Sequence, residues 1–338
     1  MPHPLELTRD QILSFRRQVG ELDERLPRGR RSLRRAAWAG LTDSVPRSAL
    51  LSIHARVEGT QPSTWKDPSL VHVWGPRYST YLVSARDHAV FTLGRLPDEA
   101  RRRARAEDMA ARLHAFLAGR RLKDTEAQRA LGVGNAVKYA TTTGTVLIRW
   151  EGALAPTIWT VPAPNVEPLE ARLELARRYL HIFGPATPDA FAKWAGISGK
   201  AAAAAFEALR KQLVPVSTPI GDAWILASDE PEFREPPGSP AAARMLPSGD
   251  TYFLLWGAGR ELLVPDAAQR AELWTSRVWP GAVLVAGEIV GTWRRAQADV
   301  SIRSWRRLTR AERDAVEAEA RSLPLPGVDA EIAVGWEG

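Results

Sequence analysis

The chain has 338 residues, 45% of them hydrophobic and 25% charged, the balance of an ordinary soluble globular protein with room for two to four modules. It contains no cysteine and only six scattered histidines, which excludes disulfides, thiolate nucleophiles and Cys-ligated zinc and argues against a His-rich metal site. A net charge of +7 and a pI near 10.0, carried mostly by arginine, point to nucleic acid as partner, because guanidinium suits bidentate phosphate contacts; inflation of arginine and alanine by a GC-rich genome is the competing explanation.

Thr8 and Gln11 form a capping box for a first helix through Leu13, Phe15 and Arg16. Helices around Ser32–Leu41 and Pro46–Val57 follow. In the latter, Pro46 suits the first helical position, Ser44 can accept exposed amide hydrogens, and Leu50, Leu51, Ile53 and Val57 share one face. "LVHVWG" (Leu70–Gly75) and "STYLVSA" (Ser79–Ala85) alternate about "PRY" and predict a hairpin, with a further helix from near Asp87. A long helix over Asp98–Arg121 carries one basic cluster, "RRRARAEDMAARLHAFLAGRR"; "RGRRSLRR" at Arg28–Arg35 is the other. Either is a phosphate track or a solvated face.

The same order then recurs. Helices over Asp124–Val133 and Asn135–Gly144 precede the strands "TVLIRW" and "TIWTVP", joined by "EGALAP", a loop of wing-like length. A third set has "EARLELARRYLHIFG", "TPDAFAKWAG" and "SGKAAAAAFEALRKQ" as helices, then "LVPVSTP" and "AWILAS" as a strand pair about "IGD". Helices followed by a hairpin give the order of a winged helix. The expected fold is therefore α+β, with tandem winged-helix units over 1–97, 98–163 and 164–229. After Asp229, "DEPEFREPPGSPAAAR" reads as a Pro-rich linker. The rest, 245–323, reads as a small antiparallel β domain with strands in "TYFLLWG", "ELLVPD", "AVLVAGEIVGTWRRA" and "DVSIRSW", a tight turn at Gly287-Glu288, and a closing helix over Thr309–Arg321.

"PRSALLSIHARVEG", "YLHIFGPATPDAFAKWAG" and "LVAGEIVGTWRR" resemble the AlkZ/YcaQ family of bacterial DNA glycosylases, and the resemblance covers nearly the whole chain. It implies a winged-helix array around double-stranded DNA that excises bulky or cationic alkylated purines, crosslinked ones included, by hydrolysis of the N-glycosidic bond without metal or cofactor. The expected setting is cytoplasmic and nucleoid-associated. No apolar run approaches membrane-spanning length, and "MPHPLELTRDQ" lacks the order of a signal peptide. Several reading heads in one chain favour a monomer over a dimeric transcription factor. A lesion sensor or transcriptional regulator that keeps the DNA channel without the chemistry is the alternative.

The family carries a Gln-x-Gln or Gln-x-Asp motif just before its "PRSALL"-like helix. Aligned on Pro46, those places fall on Thr42 and Ser44, neither an amide nor a carboxylate. Cationic alkylated purines need little leaving-group activation, so water positioning and stabilisation of oxocarbenium-like charge can suffice. Asp43 is the carboxylate of the window; alternatively Thr42, Asp43 and Ser44 are a turn and a cap. His54 is a candidate base or phosphate contact, or a packing residue. Arg47, Arg56, Arg77, Lys138, Arg101 and Arg103 are the candidate DNA contacts, although Arg56 and Arg77 could pair with carboxylates instead. Trp38, Trp65, Trp74, Trp150 and Trp159 are either wedges for the base stack or core residues. "GVG" at Gly132–Gly134 lacks the strand and third glycine of a dinucleotide fingerprint.

Overall fold

The first helix begins where its capping residues put it. In the computed structural model, which describes residues 5–152, 154–236 and 238–337, Thr8 Oγ1 accepts from Gln11 N and the Gln11 side chain accepts from Thr8 N. Behind a short strand β1 (Leu5–Glu6), this cap opens α1 (Arg9–Val19). Met1–Pro4 of the first unit and Ala153 of the 151–156 loop lie outside the described residues. α2 (Arg30–Ala36) ends earlier than its sequence suggests: Gly40 takes φ +77, and Leu41–Thr42 leave the helix as β2. α3 (Ser48–Arg56) follows, then the hairpin β3 (Leu70–Trp74) and β4 (Thr80–Ser84), and the short α4 (His88–Thr92).

The second unit comprises α5 (Ala100–Leu117), β5 (Leu122–Lys123), α6 (Asp124–Leu131), β6 (Val146–Arg149) and β7 (Thr157–Thr160). Between α6 and β6, Gly134–Thr143 winds as a 3₁₀ helix and not as the expected α-helix. Thr142 and Thr143 explain this, since their hydroxyls donate three residues back, to the carbonyls of Tyr139 and Ala140, a spacing that matches the tighter turn. The hairpins of the first two units are not separate. They join in one six-stranded sheet, in the order β2-β4-β3-β6-β7-β5, with His72 opposite Ile148 at the seam.

The third unit follows its sequence closely. α7 (Pro168–Phe183) leads to α8 (Pro188–Ala195), capped by Thr187 Oγ1 on Ala190 N, and α9 (Gly199–Ala208), capped by Ser198 Oγ on Ala201 N. Phe183, Phe191 and Trp194 gather around Tyr179 in its core. β8 (Leu213–Thr218) and β9 (Gly221–Leu226) form its hairpin, and β1 adds to β8 in parallel, so the start of the chain is stitched to the third unit.

The segment after Asp229 is more ordered than its prolines suggest. α10 (Glu230–Arg234) forms because Phe233 stacks on Phe15 at 3.8 Å between ring centroids, and burial of that ring offsets the cost of ordering the chain. β10 (Ala243–Leu246) follows. "TYFLLWG" and "ELLVPD" are not strands: Thr251–Gly257 is irregular, and α11 (Ala258–Leu263) and α12 (Ala267–Leu273) come next. Tyr252, Phe253, Leu254 and Leu255 are buried in succession without alternation, the pattern that confuses a strand with any buried run. β11 (Gly281–Val285) and β12 (Glu288–Ala296) turn through Ala286-Gly287, both at positive φ, one residue before the expected turn. β13 (Asp299–Ser304), the capping-box helix α13 (Arg310–Arg321) and β14 (Ala333–Glu337) complete a five-stranded sheet. Its last pair, β13 with β14, is parallel, so the sheet is mixed and continues past residue 323.

Candidate active site at the Thr42–Arg47 turn

The turn before α3 is built differently from a proline-led, serine-capped helix start. Ser44 and Pro46 are exposed, Arg47 turns the chain at φ +68, and the helix starts at Ser48. Asp43 does the capping: its Oδ1 accepts from Ala49 N at 3.0 Å, while Ser48 Oγ donates to Thr42 O at 2.8 Å. Asp43 Oδ2 lies 3.0 Å from His72 Nε2 and 3.4 Å from Arg47 Nη1. The first of these contacts requires the imidazole proton on Nε2, because a carboxylate only accepts. Asp43 is 1% exposed, so donors and not solvent surround it.

Three other segments pin the turn. The Arg47 guanidinium lies 3.6 Å from the centroid of Trp65 and donates to Trp150 O at 2.9 Å, tying the turn to the second unit. Burial pushes the Arg47 pKa down and Asp43 pulls it back up. On the opposite side, Thr42 Oγ1 donates to Gly249 O at 2.8 Å. Next to Gly249, Asp250 accepts both guanidinium nitrogens of Arg56 at 2.7 Å and Ser52 Oγ at 2.6 Å. What remains open is the tip, Ser44 to Pro46. Val45 and Pro46 of this tip, with Pro247, Trp279, Trp293 and Arg294, wall a cavity of about 190 Å³ between α3 and the C-terminal sheet; Ser44 precedes them and does not line it.

A model of the AlkZ-like DNA glycosylases matches residues 35–324. The chain belongs to this family. Among solved structures it is similar to Streptomyces sahachiroi DNA glycosylase AlkZ, with 18% identity, a TM-score of 0.77, and coverage of 98% of this chain and 100% of that one. At that identity the likeness establishes a shared fold. No curated protein matches the chain. Family membership makes this a DNA repair protein of the glycosylase type, and no helix among the described residues is long and apolar enough to cross a membrane.

In this AlkZ-like chain the sequence candidates fall into two groups. Thr42, Asp43, Ser44 and Arg47 come together at the turn. His54 does not join them: its Nε2 is 3.0 Å from Ser322 Oγ, and burial beside Arg25 and Arg244 pushes its pKa down to about 4. Arg56 is consumed by Asp250 inside the protein and is no phosphate contact. Arg77 is exposed at φ +55, 5.6 Å from the Trp256 ring, and Lys138 is half-buried with Nζ 5.8 Å from the Trp74 ring. Arg101 and Arg103 are exposed on α5, Arg103 paired with Glu107 at 2.9 Å. Trp65 and Trp74 are core residues, while Trp38, Trp150 and Trp159 are half-buried. The residue that sequence reasoning missed is His72. The signal was there, since Leu70, His72 and Trp74 share one face of a strand whose other positions are valines, and a polar group on a buried face needs a partner.

Proposed function

We propose that this protein hydrolyses the N-glycosidic bond of N7- or N3-alkylated purines in duplex DNA. Water attacks C1′ of the sugar, the bond to the base breaks, and its electron pair neutralises the positive charge of the alkylated ring while the water proton leaves to solvent. The observation that carries this reading is the turn itself: Thr42 and Asp43 are spent on holding it, and its tip opens beside a tryptophan-walled cavity. Ser44 is then the hydroxyl that orients water. Asp43 is a positioning residue whose buried negative charge favours the oxocarbenium-like sugar. The three helix-plus-hairpin units act as winged helices, and Arg77, Lys138, Arg101 and Arg103 supply phosphate contacts that position the duplex.

The test is release of N7-methylguanine from a methylated duplex, read beside duplex affinity. Wild type should release base, Asp43→Asn should lose most of that activity with affinity nearly intact, and Ser44→Ala should lose about tenfold. Bulky adducts and a crosslinked duplex form the second arm of the same assay. A second reading, a lesion sensor or regulator without hydrolysis, is favoured by the complete internal use of Thr42 Oγ1 and Asp43. Tight binding of alkylated duplex with no base released by wild type would replace the first reading with the second.

A further inference from the structure

A larger cavity, of about 490 Å³, lies between the β3–β4 turn, the start of α5, the 3₁₀ segment and the α8–α9 turn. The proposed chemistry makes no use of it. Tyr78 and Tyr139 form an aromatic wall, their rings meeting edge to face with centroids 5.3 Å apart. Four guanidiniums, from Arg95, Arg102, Arg105 and Arg172, face two carboxylates, from Asp98 and Glu99. Both carboxylates are already engaged, Asp98 by Arg172 at 2.6 Å and Glu99 by Arg102 at 2.8 Å. Among the described residues, Arg95 and Arg105 have no acidic partner; they lie over Tyr78 at 4.8 Å and over Tyr139 at 4.5 Å.

Arg95 is the most informative of these. It is 3% exposed, its Nε donates to Ala195 O and its Nη1 to Trp74 O, and its Nη2 makes no hydrogen bond among the described residues. Burial lowers its pKa to about 10. A buried cation without a counter-charge is costly, and an anion entering from the cavity would relieve that cost. The backbone around it is strained in the same place: Arg77 and Tyr78 stand in succession at φ +55 and +59, conformations that non-glycine residues keep only where their surroundings enforce them. Gly196 permits the arrangement, because a Cβ there would sit 3.0 Å from Arg77 N.

We propose that this cavity binds one nucleotide unit, its phosphate between Arg95 and Arg105 and its base against Tyr78 and Tyr139. Arginine supplies the charge-assisted bonds a phosphate takes, tyrosine supplies a stacking face that tolerates any base, and the volume lies within the roughly 300–1,000 Å³ of small-ligand sites. The unit comes either from a DNA strand or from a free nucleotide. The proposal rests on DNA as the substrate class of the family and not on base hydrolysis, so a wild type that releases no base leaves it standing.

The experiment is calorimetric titration of the full chain at low salt with dAMP and, separately, with a trinucleotide of deoxyadenosine. At least one probe should bind saturably, and Arg105→Ala and Tyr139→Leu should each weaken it about tenfold. Arg310→Ala, which removes an exposed positive charge from α13 away from the cavity, should leave it unchanged. Tighter binding of the trinucleotide assigns the site to a DNA strand; equal or tighter binding of dAMP assigns it to a free nucleotide. Unfolding temperature, measured for each variant, separates a lost contact from a lost fold. No saturable binding of either probe, or equal losses in the Arg105 and Arg310 variants, overturns the proposal.

Discussion

Replacing Asp250 by alanine tests the most buried ion pair among the described residues. Its carboxylate receives two guanidinium nitrogens of Arg56 at 2.7 Å, Ser52 Oγ at 2.6 Å and Tyr252 N at 2.9 Å, with both side chains at 3% exposure or less. Asp250→Ala leaves the Arg56 charge in the interior with Ser52 O and Thr251 Oγ1 as acceptors. Removing one partner of such a pair costs about 3–5 kcal/mol, a large share of the roughly 5–15 kcal/mol that holds a folded domain. Urea unfolding followed by tryptophan fluorescence measures the loss. A cycle with Arg56→Met and the double variant isolates the pair, with an expected coupling of about 2–3 kcal/mol. Because Arg56 never reaches solvent, Arg56→Met protein that remains folded should keep the wild-type salt slope of duplex binding, whereas loss of a phosphate contact lowers that slope by about 1. A loss under about 1 kcal/mol for Asp250→Ala, additive single variants, or a reduced salt slope would refute this reasoning.

Gly249→Ala should destabilise by about 1–3 kcal/mol and loosen the motif turn, since the residue stands at φ +74 and the new Cβ would lie 2.7 Å from Thr42 Oγ1; unfolding of Gly249→Ala beside Thr42→Val, which should not add, checks it. His54 has a folded pKa of about 4 against 6.5 when free, so between those values the unfolded chain binds the extra proton. Stability should therefore fall by up to about 3 kcal/mol as the pH drops from about 6.5 to about 4, and His54→Gln should flatten that part of the profile. Duplex affinity should fall steeply between about 50 and 200 mM salt because arginine contacts release counterions; affinity that stays flat across the range counts against phosphate contacts.

What the sequence disclosed and what it hid divide along a physical line. Features set by neighbours in the chain were legible. Thr8 with Gln11, Thr187, Ser198 and Thr309 cap helices where local hydrogen bonding puts them, and the strands about "PRY" and "IGD" are found in register. Features set by distant partners were not. Phe233 orders a Pro-rich stretch only because Phe15 lies under it, and the apolar run at Tyr252–Leu255 looks like a strand until the core it fills is known. At the candidate site, the turn and cap of the Thr42–Ser44 window were readable, but the division of labour was not. Asp43 replaces Ser44 as the cap because His72, 29 residues away, and Arg47 meet its other oxygen, and spacing within the window carries no trace of that.

The seam at His72 and Ile148 has a mechanical consequence. The strand order β2-β4-β3-β6-β7-β5 ties the first two units together through the pair His72–Ile148, and Arg47 bonded to Trp150 clamps the same joint beside the motif turn. Under the proposed function, a duplex docked across this joint would meet the two halves of that sheet as one body. On that reading, curvature at the joint would be supplied by the nucleic acid, and elastic cost would become a means of discrimination: a duplex already weakened by a damaged, poorly stacked base deforms more cheaply than an intact one.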